Sequence, residues 1–173
     1  MIKLIPFEDV TDDVLRLMIP PITDTFHQTV DINSRLGLGR DSWNPKRGQH
    51  KSDTILDTMP LPQPGDRYLG VMDADIFAFG LNFVFGEADA DSKKAVISLV
   101  RLKQEFYGLP PDGNLFKERI LTEAVHELGH TYSLNHCLNT RCVMHFSISI
   151  EDTDLKGWKF CPVCQKRLNS QMK

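Results

Sequence analysis

Residues 126–146 read HELGHTYSLNHCLNTRCVMHF. His126 and His130 stand four positions apart, about one turn of a helix with ~3.6 residues per turn. On a helix both imidazoles leave the same face and can take adjacent positions on one zinc ion. Glu127 lies beside His126 around that helix, where its carboxylate can reach a water on the metal without being a ligand. His136 follows His130 by six positions, too far for the same face. If the helix stops near Leu134, the chain can turn back and offer His136 as a third nitrogen. Three histidines plus a water make an open coordination sphere of the catalytic kind.

Working outward, the four cysteines are Cys137, Cys142, Cys161 and Cys164, none before position 137. A secreted disulfide scaffold would spread them more widely and would follow a signal segment. The N-terminus MIKLIPFEDV has Pro6, Glu8 and Asp9 where a signal would continue an apolar run. Four thiolates make a closed, tetrahedral structural zinc site, which would crosslink a tail poor in large apolar groups. Free thiols or a redox Cys-x-x-Cys are the alternatives.

The pattern His-Glu-x-x-His-x-x-x-x-x-His with a methionine eight positions later resembles the metzincin metalloproteases. The resemblance implies that His126, His130 and His136 hold a catalytic zinc, that Glu127 is the general base, and that Met144 forms an apolar floor under the imidazoles. Taken alone, Met144 would be read as core filler. The glycine of the metzincin signature is Ser133 here, so the positive φ that ends the helix falls on Ser133 or on Asn135. The further pattern HC-x4-C-x-M followed by CPVC, with the segments FGLNFVFGEA and AVISLVRL, is similar to the archaemetzincins over nearly the whole chain. That similarity implies a second, structural zinc on Cys137, Cys142, Cys161 and Cys164, so that two zinc ions are expected in all. It also implies an α/β (α+β) zincin-like fold: a twisted mixed sheet of four to five strands on two long helices. A single catalytic domain would span 1–173. Residues 1–134 would hold the sheet and helices, and 135–173 the Met-turn and structural zinc.

The composition suits this reading. The 173 residues are 41% hydrophobic and 25% charged, with a formal net charge of -3. A soluble, cytoplasmic globule is expected, with no membrane span and no charge surplus that asks for nucleic acid. Along the chain, 2–7 reads as a strand and 12–36 as a helix capped by Thr11 or Asp12. Pro20 and Pro21 are expected to break it into a short turn and a longer helix carrying Ile22, Phe26, Val30 and Leu36. Residues 37–66 read as a long irregular connection with a short strand near Thr54–Leu56. Strands are expected at 67–77, 82–86 and 95–102, a helix over 115–134, and a last helix near 162–170. The turn GEADADSKK carries Glu87, Asp89 and Asp91, which suggest calcium or, better, a solvated turn.

Smaller readings complete the set. Tyr132 is expected to be a packed ring rather than an oxyanion donor, and His145 a surface or hydrogen-bonded side chain rather than a substrate contact. His27 and His50 carry no partner signal. Lys156, Lys159, Lys166 and Arg167 read as a solvated basic face. In metzincins an edge strand pairs with extended substrate; by order that strand is NFVFG, Asn82–Gly86. The function expected is a zinc-dependent peptidase acting on short peptides or N-terminal residues. A zinc-stabilised binding module with little turnover is the alternative.

Overall fold

The computed structural model describes residues 1–8 and 10–172. Five strands form the main sheet: β1 (Ile2–Pro6), β2 (Val30–Ile32), β5 (Arg67–Met72), β7 (Gly86–Asp89) and β8 (Lys94–Ser98). Their order is β2-β1-β5-β8-β7. All neighbours are parallel except β7, which runs antiparallel to β8 and leaves one edge open. A small second sheet joins β3 (Trp43–Asn44), β4 (Gln49–Lys51) and β6 (Ile76–Phe77).

Alternation along the strands divides the interior in two. Leu69 and Val71 face a large core with the helices α1 (Asp12–Phe26) and α3 (Gly113–Thr131). Tyr68 and Met72 face a smaller core built on the short helix α2 (Ser52–Thr58). That is the period of two expected of a sheet covered on both faces. The fold is the expected mixed sheet on two long helices, followed by a mostly irregular Cys-rich tail. Among the described residues no helix is long and apolar enough to cross a membrane.

Several local expectations are corrected. Pro20 and Pro21 lie inside α1 and do not break it. Leu15, Met18, Ile22 and Phe26 put one continuous buried stripe on the core. Burying four such side chains contributes ~1.5–3 kcal/mol each, which offsets the ~3 kcal/mol cost of each of the two helical prolines. Thr11 is the N-cap residue, but without a side-chain hydrogen bond. The helix ends at Phe26, where His27 turns left-handed at φ 50°. Val30 therefore belongs to β2, and Leu36 pairs with Phe7 in an isolated bridge.

The strand expected at Thr54–Leu56 is instead part of α2. Its Ile55 and Leu56 are buried with Met59, a spacing that suits one short helical face. The single strand expected over 67–77 is two strands in different sheets, β5 and β6. Between them Asp75 accepts two bonds from Arg101, at 2.7 Å each, and bends the chain. The expected strand over 82–86 overlaps the observed one only at Gly86. Asn82–Phe85 is loop, and the edge strand starts at Gly86. The strand expected over 95–102 is β8, ending at Ser98, followed by one 3-10 turn at Val100–Leu102.

Helix α3 starts two residues before the expected position. Asp112 caps it by accepting from the N–H groups of Asn114 and Leu115, at 3.0 and 2.9 Å. The tail is less irregular than expected. Besides α5 (Pro162–Gln171), it carries α4 (Ile150–Lys156), whose N-terminus has a capping box of Ser149 and Asp152.

Candidate metal centre and substrate cleft

Helix α3 presents His126 and His130 on one side, as their spacing requires. The helix ends at Thr131 and the turn falls on Ser133, at φ 59°; Asn135 keeps an ordinary φ. The turn brings His136 back beside the other two rings, with centroids 5.4 Å from His126 and 4.8 Å from His130. One ring nitrogen from each histidine lies within 4.8 Å of the others.

The backbone decides which nitrogens are offered. His126 Nδ1 lies 2.6 Å from the carbonyl oxygen of Val143, and His130 Nδ1 lies 2.7 Å from that of Leu134. A carbonyl only accepts, so both Nδ1 atoms carry the proton and both Nε2 atoms present a lone pair. Those two Nε2 atoms face each other at 3.1 Å. Two acceptors so placed repel unless a cation lies between them. Tetrahedral zinc with ~2.0–2.1 Å bonds sets its nitrogens about 3.3 Å apart, so the donor set fits that ion. Burial acts in the same direction. It lowers the His126 pKa well below the ordinary value, with the Lys156 ammonium adding to the effect, and it brings His130 to about 4. Burial lowers His136 as well. The rings are neutral near pH 7, the form that ligates.

Glu127 is buried beside this group. Burial first, then the Glu123 carboxylate, raises its pKa well above the usual carboxylate range. Its side chain packs on β7 at Gly86, where an added Cβ would meet Glu127 Cγ at 2.6 Å. Met144 is fully buried and rests on Gly129, the residue before His130. Tyr132 is the expected packed ring, stacked on Phe26 at 5.3 Å with the Arg67 guanidinium 3.5 Å from its face. His145 is hydrogen-bonded through Nδ1 to the Cys137 carbonyl, at 2.9 Å.

The four cysteines converge on a second point, their sulfurs within 4.8 Å of one another. Cys137 and Cys161 are 3.9 Å apart. A disulfide needs ~2.05 Å, whereas zinc with ~2.3 Å bonds to sulfur separates its ligands by about 3.8 Å. Burial and neighbouring thiols raise the Cys164 thiol strongly, and burial raises Cys142. Cys161 falls to about 7: burial opposes this, but the Cys164 N–H and the adjacent thiols outweigh it. Sulfurs this close cannot all ionise without a cation among them, and that is the condition a structural zinc meets. The two centres share backbone. Cys137 N–H donates to the Met144 carbonyl at 2.8 Å, and Cys161 N–H donates to Cys142 Sγ at 3.3 Å.

One sequence reading is overturned here. Lys156 does not belong to a solvated face. Its side chain is 0% exposed and pairs with Glu123, itself 3% exposed, at 3.1 Å. It is the last residue of α4, which lies across α3, and it also donates to the His145 carbonyl at 3.2 Å. Lys159, Lys166 and Arg167 are exposed as expected. Glu87, Asp89 and Asp91 do not converge on a metal position: Glu87 accepts from Ser52 Oγ, and Asp89 accepts from the Asp91 N–H in the turn.

Two recesses flank Glu127. One, about 480 Å³, contains all three histidines, Glu87 and Phe146. The other, about 210 Å³, runs from His126 and Glu127 down to Glu123, Ser147 and Lys156. Sequence reasoning missed Glu123 and Ser147, placed Lys156 on a solvated face, and named Gly86 only as the end of the expected edge strand. None sits in a motif, and only the spacing of Glu123 one turn before Glu127 hinted at a shared helix face.

A sheet with an open edge strand, beside a helix bearing His-Glu-x-x-His and underlain by a buried methionine, defines the class of zinc-dependent metallopeptidases of the metzincin clan. Residues 47–170 match the profile described as peptidase family M54. The archaemetzincin of Pyrococcus abyssi is 55% identical over 181 aligned positions, covering 99% of this chain and 96% of that protein. That of Methanocaldococcus jannaschii is 45% identical, covering 96% and 91%. The crystal structure of the Archaeoglobus fulgidus archaemetzincin superposes with a TM-score of 0.85 at 35% identity, covering 96% of this chain and 99% of that one. A zinc-dependent peptidase from Methanocorpusculum labreanum superposes with a TM-score of 0.88 at 25% identity, covering 98% and 100%. The chain belongs to the archaemetzincin family of metallopeptidases.

Proposed function

We propose that this metallopeptidase hydrolyses short peptides with Glu127 as general base and His126, His130 and His136 as ligands of a catalytic zinc. The observation that carries the reading is the pair of proton-free Nε2 atoms facing each other at 3.1 Å beside a buried carboxylate. Zinc bound there supplies Lewis-acid chemistry, polarising a peptide carbonyl and acidifying water. Glu127 takes the proton of the attacking water, and the same carboxyl passes it to the leaving amine. A single carboxyl can serve both halves of that exchange because it accepts and donates the same proton.

The chain's own architecture would place the peptide. The free edge of β7 offers unpaired backbone groups along Glu127, so an extended substrate can add to the sheet there. Val143 and Leu134 carbonyls hold two of the ligand rings in one orientation, a support that raises ligand basicity. Cys137, Cys142, Cys161 and Cys164 would hold a structural zinc that fastens 135–173 under the cleft within one catalytic domain. A thiolate centre of this kind suits a reducing, cytoplasmic compartment.

The test is Glu127→Gln. Peptide cleavage should fall ~10²–10⁴-fold, the usual worth of a general base. Zinc should stay at two per chain by elemental analysis. Loss of cleavage together with one zinc would mean that the substitution disrupted the site. Undiminished cleavage would remove Glu127 from the mechanism. A wild-type protein that binds two zincs and peptides but cleaves none would instead be a binding module.

A further inference from the structure

The smaller recess beside Glu127 has greasy walls and a charged floor. Phe83, Phe85 and Phe146 line it above; Glu123, Ser147 and Lys156 line it below. A fully buried ammonium and a buried carboxylate are costly features for the wall of a substrate cleft. Their hydrogen bonds are incomplete, and in a specific way.

Lys156 Nζ has three protons. The ammonium is ion-paired with Glu123 Oε1 at 3.1 Å and donates to the His145 carbonyl at 3.2 Å. The third has no acceptor among the described residues. His126 Nδ1 is 3.4 Å away, but it already carries the proton it donates to Val143. Glu123 Oε1 also accepts from Thr153 Oγ1 at 2.9 Å, whereas Glu123 Oε2 has no partner among the described residues. Ser147 Oγ is buried without a hydrogen-bond partner among the described residues. The floor thus offers one ammonium donor, one carboxylate acceptor and one hydroxyl, with a formal charge of zero.

A group that enters must satisfy both a donor and an acceptor and bring no net charge. A lysine tip would suit Glu123 but face Lys156; a glutamate tip would suit Lys156 but face Glu123. Either leaves like charges together where screening is weak. A purely apolar tip leaves three polar groups unpaired, which a buried site tolerates poorly. A primary carboxamide meets every demand: its N–H₂ donates to Glu123 and its oxygen accepts from Lys156 or Ser147. Its methylenes would lie against the phenylalanines.

We propose that this recess is a specificity pocket, that Glu123, Lys156 and Ser147 determine its selectivity, and that it selects a glutamine side chain of the peptide substrate. The proposal rests on the peptidase reading above and names its preferred substrate.

The test is binding rather than turnover. Four peptide hydroxamates, identical except for a Gln, Glu, Lys or norleucine side chain next to the metal-binding group, are titrated calorimetrically into zinc-loaded protein. Wild type should bind the Gln compound at least about tenfold tighter than the other three. Ser147→Ala should narrow that lead several-fold. Lys156→Met should bring the Lys compound to the front, because Glu123 is left uncompensated; Glu123→Gln should do the same for the Glu compound. The wild-type ranking decides the matter even if a variant of the buried pair does not fold. Four similar affinities, or a lead for Lys, Glu or norleucine in wild type, overturn the pocket assignment and leave the peptidase reading intact. If no hydroxamate binds at all, both fall together.

Discussion

The sulfur of Met144 lies where a side chain on Gly129 would begin: a Cβ at Gly129 would sit 2.5 Å from Met144 Sδ and 3.2 Å from its Cε. Gly129 is the residue just before His130, in the helical turn that carries His126 and His130. Met144 is therefore pressed against bare helix backbone. Gly129→Ala should push Met144 aside and cost about 1–3 kcal/mol, the usual penalty of overpacking. Urea denaturation measures the loss, and zinc titration should show weaker binding at the histidines. An unchanged midpoint would mean that Met144 can swing away freely.

Ser133 makes the turn that delivers His136, at φ 59°. A residue with a Cβ holds that conformation at a cost of about 1 kcal/mol or more. Ser133→Gly should stabilise the protein by roughly that amount and leave cleavage within about twofold of wild type. A loss of stability would show that the serine side chain contributes something its geometry does not reveal.

Gly86 should be intolerant for a catalytic reason. An added Cβ would meet Glu127 Cγ at 2.6 Å, Glu127 Oε1 at 2.8 Å and the Val96 carbonyl at 2.6 Å. Gly86→Ala should move Glu127 by a fraction of an ångström or more, and kcat/KM should drop ~10²-fold, the typical result of such misplacement. Both zincs should remain. Wild-type kinetics would mean that Glu127 has slack to spare.

Acid should destabilise the metal-stripped protein by a predictable route. Burial holds the His130 pKa at about 4, against 6.5 when unfolded. The unfolded chain then binds more protons between those values, so stability is full above pH 6.5 and declines as the pH falls toward 4. The single site contributes about 3 kcal/mol to that decline. Denaturation of chelator-treated protein at a series of pH values measures it. His130→Gln should flatten the curve over this window; an equally steep curve would assign the decline to other groups.

Removing the cysteine metal should act on stability more than on chemistry. Cys161→Ser should leave one zinc per chain and lower the melting temperature, because a metal on the four converging sulfurs would join Cys137 and Cys142 to Cys161 and Cys164 across the tail. His126→Ala should also leave one zinc but abolish cleavage with a smaller shift. The same melting temperature for both would mean that the two centres brace the fold equally.

Much of the metal chemistry was legible in the sequence because it depends on short spacings. The spacing of four positions from His126 to His130 makes about one helical turn, and Cys-x-x-Cys closes a knuckle locally. The apolar segments 2–7 and 95–102 likewise read as strands, found at Ile2–Pro6 and Lys94–Ser98, where one sheet face meets α1 and α3 and the other meets α2. Where the apolar run was short, the period could not be read. Ile55 and Leu56 suited strand or helix equally, and the packing of α2 on the sheet decided between them.

What only the tertiary structure decided are the outcomes set by distant partners. Local propensity breaks a helix at Pro20 and Pro21; the core that buries Leu15, Met18, Ile22 and Phe26 keeps it whole. Lys156 reads as solvent-facing from its own neighbours, yet α4 carries it across α3 to a carboxylate 33 positions earlier. Val84 and Phe85 look like strand, but they turn into the cleft wall and leave Gly86 to begin the edge. The sequence by itself determined which atoms can hold metal, because ligand spacing is local. Which charges stand buried beside them, and what substrate they would accept, was decided by how the helices cross, because burial belongs to the assembled core and not to any one segment.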